Sequence, residues 1–161
     1  MRKFEQIVIY LANASNWIAA VAIVFLMLLT TLDVILRMFR MSITGSYELA
    51  GFASVLVISL SLGYTSLQKG HIAVDIVFRH FSVVYKKIIK FVNCCISFLL
   101  FAIISWQSFL YAMQLRAVGE VSATLQLRTY PFVLGLTLGA FLLCLVLIVE
   151  AMRVLRGADI E

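Results

Sequence analysis

Four long apolar runs dominate this chain, at about Trp17 to Leu36, Leu49 to Leu67, Phe91 to Leu110 and Phe132 to Val149. Each is close to the roughly 20 residues that an α-helix needs to cross a hydrocarbon layer of about 30 Å. A water-soluble helix would interrupt such a run with a polar face, whereas here the polar residues collect between the runs. The predicted fold is therefore all-α and membrane-integral. Four transmembrane helices, at about 17–36, 49–67, 91–110 and 132–149, form a single membrane domain over residues 1–161.

Four spans in 161 residues leave little chain for a soluble catalytic or nucleotide-binding domain. Charged residues make up 13% of the chain, below the roughly 25% of soluble domains, so the few charges are informative. The net charge of +5 flanks the apolar spans and suits anionic lipid headgroups better than nucleic acid. Residues 1–15 are too polar for the core of a cleavable signal, so the first span is expected to remain as its own insertion signal.

Basic residues set the expected orientation. With four spans, Arg2, Lys3, Lys69, Arg79, Lys86, Lys87, Lys90, Arg153 and Arg156 fall on one side. Only Arg37, Arg40, Arg116 and Arg128 fall on the other. Positive charge favours the cytoplasm, so both termini and the middle loop are expected inside.

Two segments carry one apolar helical face and are expected to lie in the membrane surface, at about 3–14 and 72–90. In the first, Phe4, Ile7, Val8 and Leu11 share the i, i+3, i+4, i+7 face. In the second, Val77, Phe81, Val84 and Ile88 oppose Asp75, Arg79, Ser82, Lys86 and Lys90. That pattern fits an interfacial helix or a solvated helix against a partner protein. Trp17, Arg79, Lys86, Lys87 and Lys90 are the expected lipid anchors, and Trp106 suits an aromatic belt or a packing site.

The candidate chemical groups mostly have structural readings. Asp33 lies one turn before Arg37, so an i, i+4 ion pair is expected. The other readings of Asp33 are ion coupling and contact with a partner. Glu48 opens the second span, where a carboxylate suits the helix N-terminus. Glu150 and Arg153 stand three residues apart and are expected to pair.

Gly135 and Gly139 form a G-x-x-x-G pair, and Ser59 and Gly63 repeat that small-residue spacing. Asn13, Asn16 and Ala20 share another small or polar face. Such surfaces let helices approach closely, within one chain or toward a partner. Cys94, Cys95 and Cys144 lie at span depth as inert thiols, and no Cys/His cluster has metal-ligand spacing. His71 and His80 both fall in the middle loop, so the spans supply no histidine pair for a membrane haem. No cofactor, metal, catalytic or substrate-binding residue is expected in this chain.

Several local patterns coincide around the spans. Arg37 precedes Gly45 and the step Tyr47-Glu48-Leu49. Gly70-His71-Ile72-Ala73-Val74-Asp75 follows the second span. Gly119-Glu120, then Ser122, Thr124 and Leu125, precede Tyr130-Pro131. In this order and spacing the chain resembles the small membrane subunit, DctQ-like, of the tripartite ATP-independent periplasmic (TRAP) transporters.

The resemblance implies a role without catalysis, in the bacterial inner membrane. It implies a large membrane subunit holding the substrate and sodium sites, and a periplasmic protein that captures an organic acid and delivers it. The small subunit would brace the large one. On this reading Glu120, Arg116, Arg128, Gly135 and Gly139 are the candidate partner contacts. The family's usual proline near Arg128 is absent here, which leaves Arg128 facing the binding protein or lipid. Two rival functions are a membrane thiol oxidoreductase and a small homo-oligomeric proton-coupled exporter. The first needs cysteine pairs in external loops, and the second would rest on Asp33.

Overall fold

A computed structural model of the chain describes residues 2–68 and 83–156. They form four helices: α1 (Arg2–Met38), α2 (Ser46–Leu67), α3 (Val83–Val118) and α4 (Tyr130–Arg156). All four are long and apolar enough to cross a membrane. Among the described residues the one strand-like feature is an isolated antiparallel bridge between Val121 and Arg128.

The helices are longer than the apolar runs. α1 has 37 residues and α3 has 36, or about 55 Å each at 1.5 Å per residue. Neither contains glycine or proline, so nothing forces a stop where the composition turns polar. The separate surface helix expected over 3–14 is not observed, because those residues are the first turns of α1. Of the one expected over 72–90, residues 83–90 begin α3 and the remainder, with Arg79, lies outside the described residues.

Left-handed residues end what composition does not. Gly119 (φ 70°) follows α3, and the amide of Glu120 donates to the carbonyl of Leu115 at 3.1 Å. This six-residue closure satisfies a terminal carbonyl of the helix. α1 closes the same way through Met41 N–H to Leu36 O at 3.0 Å, with Arg40 in the left-handed region at φ 58°. Pro131 sits in the first turn of α4, where its missing N–H leaves no gap in the helix.

α4 is the centre of the bundle. It packs against α3 on one side and α2 on the other, and α1 packs on α2 and touches α4. Of its spanning stretch 44% is buried, against 11% for α1 and for α3, so the outer helices turn most of their surface outward. In the first half of α1 the buried residues are Val8, Ala12, Ser15 and Ala19. Ile7 and Leu11, from the apolar stripe of the expected surface helix, are exposed, as are Asn13 and Ala20. With apolar solvent outside, large side chains lose little by facing it, and close contact favours small ones.

The bundle has two distinct ends. At one, the start of α1 meets the end of α4, where Val8, Ala12, Val146 and Val149 form a buried cluster. Arg153 Nε donates to Glu5 Oε1 at 2.6 Å, and its Nη2 reaches the same oxygen. Arg153 therefore ties α4 to α1, which the sequence expectation of a pair with Glu150 had missed. Glu150 instead accepts a hydrogen bond from Ser66 Oγ at 3.4 Å. Replacing Glu5 or Arg153 by alanine should each cost about 1 kcal/mol. Replacing both should cost no more than the larger single change, as read by thermal unfolding in detergent. Full additivity would mean that the pair contributes nothing.

Candidate functional site

The opposite end gathers the loop between α1 and α2 and the loop between α3 and α4. Two carboxylates rooted in helices organise it. Asp33, in the last turns of α1, is only 6% exposed. Its Oδ2 pairs with Arg37 Nη2 at 2.7 Å, and its Oδ1 accepts from the amide of Ile43 at 3.1 Å. One residue thus fastens the whole loop 39–45 back onto its own helix.

Glu48, in the first turn of α2, acts across a much longer sequence distance. Its carboxylate accepts from the amides of Thr124 at 3.0 Å and Leu125 at 3.2 Å, and from Ser122 Oγ. The sequence reading placed it at the N-terminus of its own helix. The structure directs it to the other loop. The N-cap of α2 is Gly45, which makes no side-chain cap bond. Gly45 has φ 77°, and a Cβ there would collide with Leu125 Cγ and lie 2.7 and 2.8 Å from its two Cδ atoms. The two loops therefore interlock through one glycine, one leucine and one carboxylate.

The second loop has its own scaffold. Ser122 N–H donates to Leu127 O at 2.8 Å, Gln126 N–H to Ser122 O at 3.1 Å, and Thr129 N–H to Glu120 O at 3.4 Å. This frame places Glu120 and Arg128 at the same end of the molecule as Arg116 in the last turn of α3, and all three are exposed. Three of the expected partner-facing residues thus lie at the same end, with Arg40 exposed on the neighbouring loop.

Gly135 and Gly139 take the within-chain alternative of the expected helix contact. A Cβ on Gly139 would collide with the backbone carbonyl of Ser59, and one on Gly135 with Leu56 Cδ2. Ser59 is fully buried, and Gly63 faces Leu142 and Val146. The small stripes of α2 and α4 therefore face each other. At the loop end of this seam Phe52 and Phe132 stack, with ring centroids 4.1 Å apart.

Trp17, expected at the end of a span, stands in the interior of the continuous α1 and is 75% exposed. It lines an apolar groove with Val21, Phe25, Phe52 and Phe132. A second apolar groove runs along α3 and α4, past Cys95, Phe98, Trp106, Gln107 and Leu147. Lys90 is half-buried, and the backbone of Lys86 and Lys87 lies in the first turns of α3. Cys94 and Cys144 are buried, Cys95 is exposed, and all three are free thiols. Cys94 Sγ donates to Leu147 O at 3.1 Å. Among the described residues no three His, Cys, Asp or Glu side chains gather as a metal site.

The end-to-end links could not be read from spacing. Glu48 and Ser122 are separated by 74 positions. Both motif fragments were visible in the sequence, but nothing local said that they touch.

A family profile described as "Tripartite ATP-independent periplasmic transporters, DctQ component" matches residues 26–157, from within α1 to the last residues of the chain. No curated protein and no solved structure matches.

Proposed function

The chain belongs to the DctQ component of the tripartite ATP-independent periplasmic transporters, and from that premise we propose that it braces the large membrane subunit of a secondary uptake system. In this reading the large subunit holds the sodium and substrate sites, and the cargo is an organic acid. A periplasmic binding protein delivers it at the loop end. The chain sits in the bacterial inner membrane with both termini in the cytoplasm.

The observation that carries the bracing role is the α2–α4 seam. Gly139 lies against the backbone of Ser59, and Gly135 lies against Leu56. At these two glycines the seam is closed by direct helix contact. Ser59 and Thr137 satisfy their hydroxyls on carbonyls of their own helices. Asp33, which the exporter alternative would require as a carrier, is held by Arg37 and the amide of Ile43. The orientation follows from the basic residues, nine at the termini and middle loop against Arg37, Arg40, Arg116 and Arg128 at the loop end. In the inner leaflet, Arg79, Lys86, Lys87 and Lys90 would resist vertical displacement, since drawing a charge inward costs a few kcal/mol.

The test is reconstitution. The chain should copurify with the large subunit, and liposomes should take up a carboxylate only when this chain, the large subunit and the binding protein are all supplied. Carboxylate uptake by the purified chain alone would overturn the reading. Reversing Arg116 and Arg128 to glutamate should lower uptake at limiting binding protein about fivefold, with the membrane complex still recovered in full. Unchanged uptake would remove these arginines from the docking surface.

A further inference from the structure

We propose that Glu48 is the positioning residue of the docking surface: its carboxylate, rooted in α2, sets the shape in which the loop between α3 and α4 meets the soluble binding protein. The inference rests on the docking part of the function proposed above.

The geometry separates the base of the loop from its tip. Bonds within the loop and to the end of α3 hold the base: Glu120 N–H to Leu115 O, Ser122 N–H to Leu127 O and Thr129 N–H to Glu120 O. At the tip, the amides of Thr124 and Leu125 point to Glu48, and Ser122 Oγ joins them. The bond from Gln126 N–H to Ser122 O at 3.1 Å closes the tip from within, and Glu48 anchors it from outside the loop. Hydrogen bonds to an ionised acceptor are stronger than neutral ones, and here three donors converge on one carboxylate.

The packing agrees with the bonding. Leu125 fills the space that a side chain on Gly45 would occupy, and Gly45 ends the loop that Asp33 fastens through Ile43. Glu48 thus determines the position of Arg128 relative to Arg40 on the first loop. It also removes its own charge from the outer surface. With Asp33 paired inward as well, Arg40, Arg116 and Arg128 face outward against the single exposed acid Glu120. A surface of this sign fits an acidic face on the delivering protein. Its fit depends on how far apart the arginines are held.

Glutamine at position 48 keeps the length but turns one oxygen into a donor facing donors. Aspartate keeps the charge and shortens the reach. The experiment uses three-component liposomes, with uptake measured against binding-protein concentration for the wild type, Glu48→Gln, Glu48→Asp and Ser122→Ala.

In Glu48→Gln the half-saturating concentration should rise about tenfold, the effect of losing one bond to a charged acceptor. The rate at saturation should fall less than twofold, and recovery with the large subunit should be unchanged. Glu48→Asp should restore part of the shift. Ser122→Ala should raise the half-saturating concentration two- to threefold, about the effect of losing one neutral hydrogen bond. Hydrogen exchange should quicken about tenfold at the amides of Thr124 and Leu125, and stay unchanged in the middle of α4.

An unchanged half-saturating concentration alongside faster exchange at these amides would overturn the proposal. So would parallel loss of saturating rate and of complex recovery, which would reduce Glu48 to a fold residue. If uptake by the wild type is indifferent to binding-protein concentration, the docking reading itself fails, and this inference fails with it.

Discussion

Gly139→Leu is expected to prevent assembly of the bundle. Any Cβ at this position would collide with the carbonyl carbon and oxygen of Ser59 and lie 2.8 Å from its Cβ. The backbone in the middle of α2 cannot yield without moving the whole helix. Overpacking a well-fitted core costs typically about 1–3 kcal/mol and more where nothing can shift. In a bilayer the lost contact is not compensated by expulsion of water, since close packing is itself the driving force between helices.

Three glycines of the same seam and its surroundings should rank by what they meet. At Gly135 the obstacle is Leu56 Cδ2, the end of a flexible side chain, so Gly135→Ala should cost only about 1 kcal/mol. Gly51 has nothing within 4 Å, so Gly51→Ala should be neutral or stabilise by up to about 1 kcal/mol through helix propensity. Monodisperse yield and thermal unfolding in detergent would measure the series. A Gly139→Leu protein that melts with the wild type would refute the seam.

Gly45→Val should be the most damaging change at the loop end. It meets two independent obstacles. A β-branched residue at φ 77° pays about 1–2 kcal/mol for the left-handed backbone. Its side chain must also displace Leu125, which occupies that space. The expected loss is about 3 kcal/mol, with loosening of both outer loops together.

The two terms separate experimentally. Asparagine tolerates the left-handed region better than valine, so Gly45→Asn mainly tests the collision. Pairing Gly45→Asn with Leu125→Ala should then recover part of the loss, giving an interaction energy of about 1 kcal/mol in a double-mutant cycle. Strict additivity would mean that glycine and leucine do not share this space.

The four apolar runs predicted the four helices and their alternation between two ends, because transfer into hydrocarbon is a sum over each segment's own residues. The same sum misjudged the first helix. The apolar face over 3–14 pointed to a separate surface helix, yet α1 runs unbroken from Arg2 to Met38. Helix continuity is a backbone property, and no residue there removes a hydrogen bond or frees the chain. Periodicity also left the contact face open: Val8, Ala12, Ser15 and Ala19 are buried while Ile7 and Leu11 are exposed. Periodicity finds the large apolar residues, and in a membrane these serve the lipid side as well as the core.

The candidate site divides along the same line. The pairing of Asp33 with Arg37 spans one helical turn, a distance at which helix geometry alone makes the side chains neighbours. The G-x-x-x-G stripe was visible too, but its occupant, Ser59 and Leu56 of the same chain, was not. Glu48 with Ser122, and Glu5 with Arg153, join residues 74 and 148 positions apart.

Taken alone, the amino-acid order determined that this protein crosses a bilayer, how often, and where its charges collect. Those properties depend on composition within each segment and on the solvent it prefers. The tertiary structure decided which helix faces touch and which donors each carboxylate receives. These depend on how each helix is rotated about its axis, and that rotation is set by contacts with other helices, not by any stretch of sequence on its own.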